Sequence, residues 1–195
     1  MSENTFLIVG LGNPGREYIK NRHNVGFMLI DRLSIRLDAR MSRIQAKALV
    51  ASINYKGDKI ILAKPQTYMN LSGQSIQGLA RFYKLPLEHV IVAHDDLDLP
   101  LGSLRIRPGG GPGGQKGIAS TIERLGTKEF RRLRIGIGRP PGRMKAAAYV
   151  LQNFSKADAP LLSEVLEHAV NAVLTLITDG LNAAMNKFNR NIQDL

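Results

Sequence analysis

Phe6-Leu-Ile-Val-Gly-Leu-Gly-Asn-Pro-Gly15 is the stretch on which the fold turns. Its apolar half, with Thr5 before it, reads as a short buried strand. Its glycine half matches G-x-G-x-x-G, and Asp31 follows roughly twenty residues on, so a dinucleotide-binding unit must be weighed. Two features argue against one. In such a unit a helix starts inside the motif, and a second strand ends near the acidic residue. Here Asn13-Pro14 favours a turn, polar residues run on to Asn24, and Asp31 falls inside a helical pattern carried by Phe27, Ile30, Leu33 and Leu37. The strand therefore opens into a long polar loop. In an open α/β sheet, ligands bind beyond the carboxyl ends of the strands, and that is where this loop lies.

The rest of the chain fits the same plan. Helical spacing spans 25–37, a hairpin joins 48–53 to 59–63, and an amphipathic helix over 71–83 turns Ile76, Leu79, Ala80 and Tyr83 inward, with Asn70 or Ser72 as its cap. A strand at 89–94 is followed by a short alternating segment at 103–107 and a glycine-rich loop at 109–117. A helix at 118–125 ends at Gly126, a strand covers 132–138, and helices cover 161–177 and 182–189. Strands alternating with helices, plus one antiparallel hairpin, predict an α/β fold: a three-layer α/β/α sandwich with a twisted mixed sheet, a single domain over 1–195.

Composition narrows the class. With 44% hydrophobic and 22% charged residues, the chain reads as an ordinary globular protein. No apolar run suggests a membrane span, and the polar opening Ser2-Glu-Asn-Thr5 is not expected to be a secretory signal. The absence of cysteine excludes disulfides, thiol catalysis and thiolate metal sites, and points to a cytoplasmic protein. Charge says more. Of the net +11, the segment from Arg105 to Lys145 carries +9, with eleven basic residues against Glu123 and Glu129. Such a concentration suits a polyanion, because each neutralised phosphate releases counterions. A merely solvated basic surface is the plainer alternative.

Three polar segments could build a site: 10–24, 68–73 and 93–98. His23 is the best general-base candidate, since imidazole titrates near neutral pH. An isolated histidine is more often structural, and its place in a polar loop beside strand ends is what favours function. Asp95, just past a strand, could fix the ring tautomer and favour the imidazolium; Asp96 or Asp98 could do so instead. His94 with these three acids matches no specific ligand spacing, so no metal is expected. With no G-x-S-x-G element, water activated by His23 is simpler than a serine nucleophile. Asn13 and Asn70 can serve as turn or cap residues, or they can position water and stabilise an oxyanion. The loop Gly109-Gly-Gly-Pro-Gly-Gly-Gln-Lys-Gly117 does not fit the phosphate-loop pattern, because Gln115 precedes Lys116 and Gly117 follows it. Its six glycines still let backbone amides approach a ligand closely, or they make a flexible connector.

Taken together these segments resemble bacterial-type peptidyl-tRNA hydrolase. The anchors are Gly10-Leu-Gly-Asn-Pro-Gly15, Arg22-His-Asn-Val-Gly26, Tyr68-Met-Asn-Leu-Ser-Gly73, Ala93-His-Asp-Asp-Leu-Asp-Leu-Pro100 and Arg132-Leu-Arg-Ile-Gly-Ile-Gly138, five in order between Phe6 and Asp179. The resemblance implies a monomeric α/β enzyme, without cofactor or membrane partner, that cleaves the ester between a peptide and tRNA and so recycles the tRNA. It puts His23 on the catalytic base and Asp95 on its supporting carboxylate. Asn13 falls on the residue that separates N-blocked from free aminoacyl-tRNA. Tyr18, Tyr68 and Asn70 fall on substrate-binding positions, and Arg107 and Arg134 on basic positions that engage a tRNA phosphate near the acceptor end. The family's loop commonly ends His-Asn-Gly where this chain has Gln115-Lys116-Gly117. Lysine cannot accept a hydrogen bond to orient water, so Lys116 is expected to contact substrate as a donor. Two rivals remain: a non-catalytic RNA-binding protein of the same fold, and a nicotinamide-dependent oxidoreductase resting on the glycine motif.

Overall fold

In the computed structural model, which describes residues 4–194, seven strands form one mixed sheet. They are β1 (Thr5–Gly10), β2 (Arg43–Gln45), β3 (Ala48–Tyr55), β4 (Asp58–Pro65), β5 (Val90–Asp96), β6 (Leu104–Arg107) and β7 (Arg131–Gly136). Their spatial order is β2-β3-β4-β1-β5-β7-β6. β1 pairs in parallel with β4 and β5, and β5 with β7. The β2–β3, β3–β4 and β6–β7 pairs are antiparallel. Ser2 and Glu3 of the polar opening lie outside the described residues.

Side-chain alternation sorts the core into two layers. Phe6 and Ile8, Ile60 and Leu62, and Ile91 and Ala93 face one side, where they pack with α1 (Val25–Arg36), α5 (Ala159–Thr178) and α6 (Leu181–Phe188). Leu7 and Val9, Ile61 and Ala63, and Val90 and Val92 face the other, against α2 (Ser72–Phe82) and α3 (Lys116–Leu125). Both faces of the central strands are therefore buried, which is why these strands read as continuous apolar runs. The expected three-layer α/β/α arrangement is what the chain adopts.

α1 enters the fold at the carboxyl ends of β1 and β5. A Cβ on Gly26 would lie 2.5 Å from the Leu11 backbone nitrogen and 2.6 Å from the Ala93 carbonyl oxygen, so only glycine allows this approach. The close seat carries the preceding 3-10 turn, Arg22–Asn24, over the strand ends.

Several local expectations are corrected. β2 has three residues at the sheet edge, two of them exposed, and so carries no periodic signal. The five-residue α4 (Ala146–Val150) is likewise too short to show one. A 3-10 turn at Met69–Leu71 precedes α2, so its cap position falls on Leu71 rather than on Asn70 or Ser72. The Ser72 hydroxyl instead donates to the Met69 carbonyl at 2.7 Å. α5, at 20 residues with mean hydropathy 1.3, is long and apolar enough to cross a bilayer, contrary to the expectation that no segment is. Here it is a core helix. Val165, Ala169, Val170 and Val173 are buried, and Glu167 bonds to Arg32 and Arg36 of α1 at 2.7 and 2.8 Å.

Candidate active site

His23 and Asp95, separated by 72 residues in the chain, meet at the carboxyl end of β5. His23 Nδ1 lies 2.8 Å from Asp95 Oδ2, and the two side chains are 12% and 3% exposed. A carboxylate only accepts, so Nδ1 carries the proton and the neutral ring keeps its lone pair on Nε2. Among the described residues Nε2 has no hydrogen-bond partner, which leaves it for water or substrate. The alternatives for the supporting acid are otherwise engaged: Asp96 Oδ2 is 2.6 Å from Arg134 Nε, and Asp98 pairs with Arg139.

His94, next to Asp95 in the chain, is a different kind of histidine. It is buried, its Nδ1 donates to the Asp95 backbone carbonyl at 2.8 Å, and its Nε2 has no partner among the described residues. Burial pushes its pKa below the ordinary imidazole value and outweighs the pull of Asp95 and Asp96. It stays neutral, and belongs to the interior rather than to the reacting surface.

The loop after β1 is fixed by an asparagine pair. Asn24 Oδ1 accepts the Asn13 backbone N–H and its Nδ2 donates to the Asn13 carbonyl, both at 2.9 Å. Asn13 Oδ1 accepts the Met69 backbone N–H at 2.8 Å. This bond ties the 68–73 segment to the His23 loop and leaves the Asn13 Nδ2 group as the end without a hydrogen bond among the described residues. Tyr68 and Asn70 flank Met69 and are exposed. Tyr18 is half-buried in the turn Arg16–Tyr18; no side-chain hydrogen bond joins it to His23.

Two residues that carry the site were given no role from sequence. Gln115 is buried; its Nε2 donates to Asp95 Oδ1 at 3.0 Å, and its Oε1 caps α3 by accepting the Ile118 N–H at 2.8 Å. α3 therefore starts at Lys116, two residues before the expected start, with the exposed lysine in its first turn. Arg22 is the second. Its backbone N–H donates to the Gln152 carbonyl at 3.0 Å and its Nη1 to the Asn153 carbonyl at 2.7 Å, and its guanidinium sits 4.3 Å from the Tyr149 ring centroid. The residue before His23 is thus strapped to the segment after α4. Neither role had a signal, because glutamine is a rare cap and Arg22 acts on residues more than a hundred positions away.

The basic cluster divides into exposed and buried members. By register, Arg105 and Arg107 of β6 stand opposite Arg134 and Arg132 of β7, all four on one face of the sheet. Arg107 is exposed and Arg134 partly so, beside Asp96 and hence one residue from the His23 partner. Arg132 is 3% exposed and serves the interior. Its guanidinium donates to the carbonyls of Gly110, Gly111 and Lys128, and lies 4.6 Å from the Phe130 ring centroid. It anchors the glycine-rich loop and is not part of an anion-binding surface.

The sequence matches the family model described as Peptidyl-tRNA hydrolase over residues 7–194. It is 51% identical over 184 residues to a peptidyl-tRNA hydrolase of Desulforamulus reducens, covering 94% of this chain and 88% of that protein. It is 46% identical to one of Frankia alni, covering 94% and 93%. The fold superposes on a crystal structure of peptidyl-tRNA hydrolase from Acinetobacter baumannii with a TM-score of 0.91 at 34% identity, covering 98% of this chain and 97% of that one.

Proposed function

The chain belongs to the peptidyl-tRNA hydrolase family and hydrolyses the ester that joins a peptide to tRNA, and from that premise we propose that it does so with His23 as general base on water. The observation that carries this reading is the 2.8 Å contact of His23 Nδ1 with Asp95 Oδ2, which leaves Nε2 without a partner among the described residues. Nε2 takes a proton from water as the oxygen attacks the ester carbonyl carbon. Asp95 holds the tautomer and favours the imidazolium so formed. The tetrahedral oxyanion accepts from the Asn13 amide. When the intermediate collapses, the imidazolium returns its proton to the departing ribose oxygen, giving free peptide and tRNA.

Substrate is held on both sides of this centre. Tyr18, Tyr68, Asn70 and the Lys116 ammonium contact the terminal nucleotide and peptide. Arg107 and Arg134 hold a phosphate near the acceptor end. No cofactor takes part in this scheme. The protein works as one monomeric domain in the cytoplasm, clearing tRNA released early with its peptide. Release of N-acetyl-amino acid from charged tRNA, compared with release from free aminoacyl-tRNA, tests the reading. Turnover restricted to the N-blocked ester supports it; tight tRNA binding without turnover would make the chain an RNA-binding protein only.

A further inference from the structure

Asp95 is nearly sealed from solvent, yet both its oxygens are used: Oδ2 by His23 and Oδ1 by Gln115 Nε2 at 3.0 Å. Which end of the glutamine amide faces the acid is decided by its other bond, because Oε1 accepts the Ile118 N–H at 2.8 Å. Its Nε2 also lies 3.2 Å from Met69 Sδ, which pins the side chain between two segments of the site. Gly117 makes room for this: a Cβ there would lie 2.6 Å from Met69 Sδ and 3.0 Å from Gln115 Oε1. The loop that delivers Gln115 is held from below by Arg132 on the Gly110 and Gly111 carbonyls.

We propose that Gln115 is a positioning residue for the hydrolysis: a neutral donor that occupies the second oxygen of the buried Asp95 carboxylate and keeps the first aimed at His23. The inference rests on the reading of His23 and Asp95 as base and supporting acid. A carboxylate buried with one oxygen unpaired is costly, and it could turn that oxygen toward His23 and lose the aim of the pair. A charged donor would cancel the negative charge that favours the imidazolium. An amide does neither.

The test uses two variants on N-acetylaminoacyl-tRNA, with His23→Ala alongside. Gln115→Leu removes the donor, and kcat should fall about tenfold with KM within about twofold. Gln115→Glu can replace the amide only while its carboxyl is protonated, when one oxygen accepts from Ile118 and the hydroxyl donates to Asp95. It should recover the turnover that Gln115→Leu loses on the acid side, and lose it again as the introduced carboxyl ionises with rising pH. The inference is overturned if Gln115→Leu keeps its kcat, if its loss falls on KM alone, or if Gln115→Glu is as slow as Gln115→Leu at every pH. Activity retained in His23→Ala would instead remove the reading on which it rests.

Discussion

The side-chain carbonyl of Asn13 accepts the Met69 backbone N–H at 2.8 Å, and this bond fixes which end of the amide is left without a partner among the described residues. From the sequence Asn13 can either orient water as an acceptor or stabilise an oxyanion as a donor. With Oδ1 engaged, the Nδ2 group is the end that remains.

Asn13→Asp separates the two roles. The introduced carboxylate can still accept from Met69, so the loop keeps its anchor, but it offers no donor and adds negative charge where an oxyanion forms. Turnover should fall roughly 10²–10³-fold, with a thermal midpoint near that of the parent protein. An Asn13→Asp enzyme that turns over at the parent rate would show that Asn13 serves the loop alone.

Arg107 and Arg132 are register partners in opposite surroundings, the first exposed and the second buried. Arg107→Ala should raise KM for full-length substrate and reduce the slope of log affinity against log salt by about one, the loss of a single phosphate contact. Arg132→Ala should leave that slope unchanged and lower stability by about 3 kcal/mol, since the Gly110 and Gly111 carbonyls of the glycine-rich loop lose their donor. For a chain of this size, that is a thermal midpoint about 6–12 °C lower. Equal salt slopes for the two variants would contradict the division.

His94 makes stability sensitive to acid. Its folded pKa lies below the ordinary 6.5 because of burial, so below that pH the unfolded chain takes up a proton that the folded chain refuses. The stabilisation is complete above 6.5 and is lost as pH falls toward the folded value. His168, packed on Phe188 with ring centroids 4.9 Å apart, shifts the same way from burial. Between pH 7 and pH 5 the melting temperature of His94→Gln should therefore fall less than that of the parent. Parallel declines in thermal melts would rule this out.

Much of the architecture was legible because the signals are local. Phe6–Val9 and Val90–Ala93 are apolar runs that stop at polar loops, and α1 and α5 repeat their apolar residues at helical spacing. Such patterns fix element type and, by alternation, the layers. The His23–Asp95 pair could be anticipated because each residue lies beyond the apolar run of a strand, Phe6–Val9 for His23 and Val90–Ala93 for Asp95. What escaped the sequence depends on long-range geometry. That Arg132 turns inward follows from the path of a loop 21 and 22 residues upstream, at Gly111 and Gly110. That Gln115 reaches Asp95 follows from where α3 begins. Residue type misleads in both cases: an arginine in a basic run reads as surface, and a glutamine beside glycines reads as linker.

The most direct measurement is single-turnover hydrolysis of N-acetylaminoacyl-tRNA by the parent protein and by His23→Ala at neutral pH. With His23 Nδ1 held 2.8 Å from Asp95 and Nε2 without a partner among the described residues, loss of the imidazole should slow the chemical step by roughly 10²–10⁴-fold, while tRNA binding is retained. A His23→Ala enzyme that cleaves the ester within a few-fold of the parent rate would show that the base lies elsewhere.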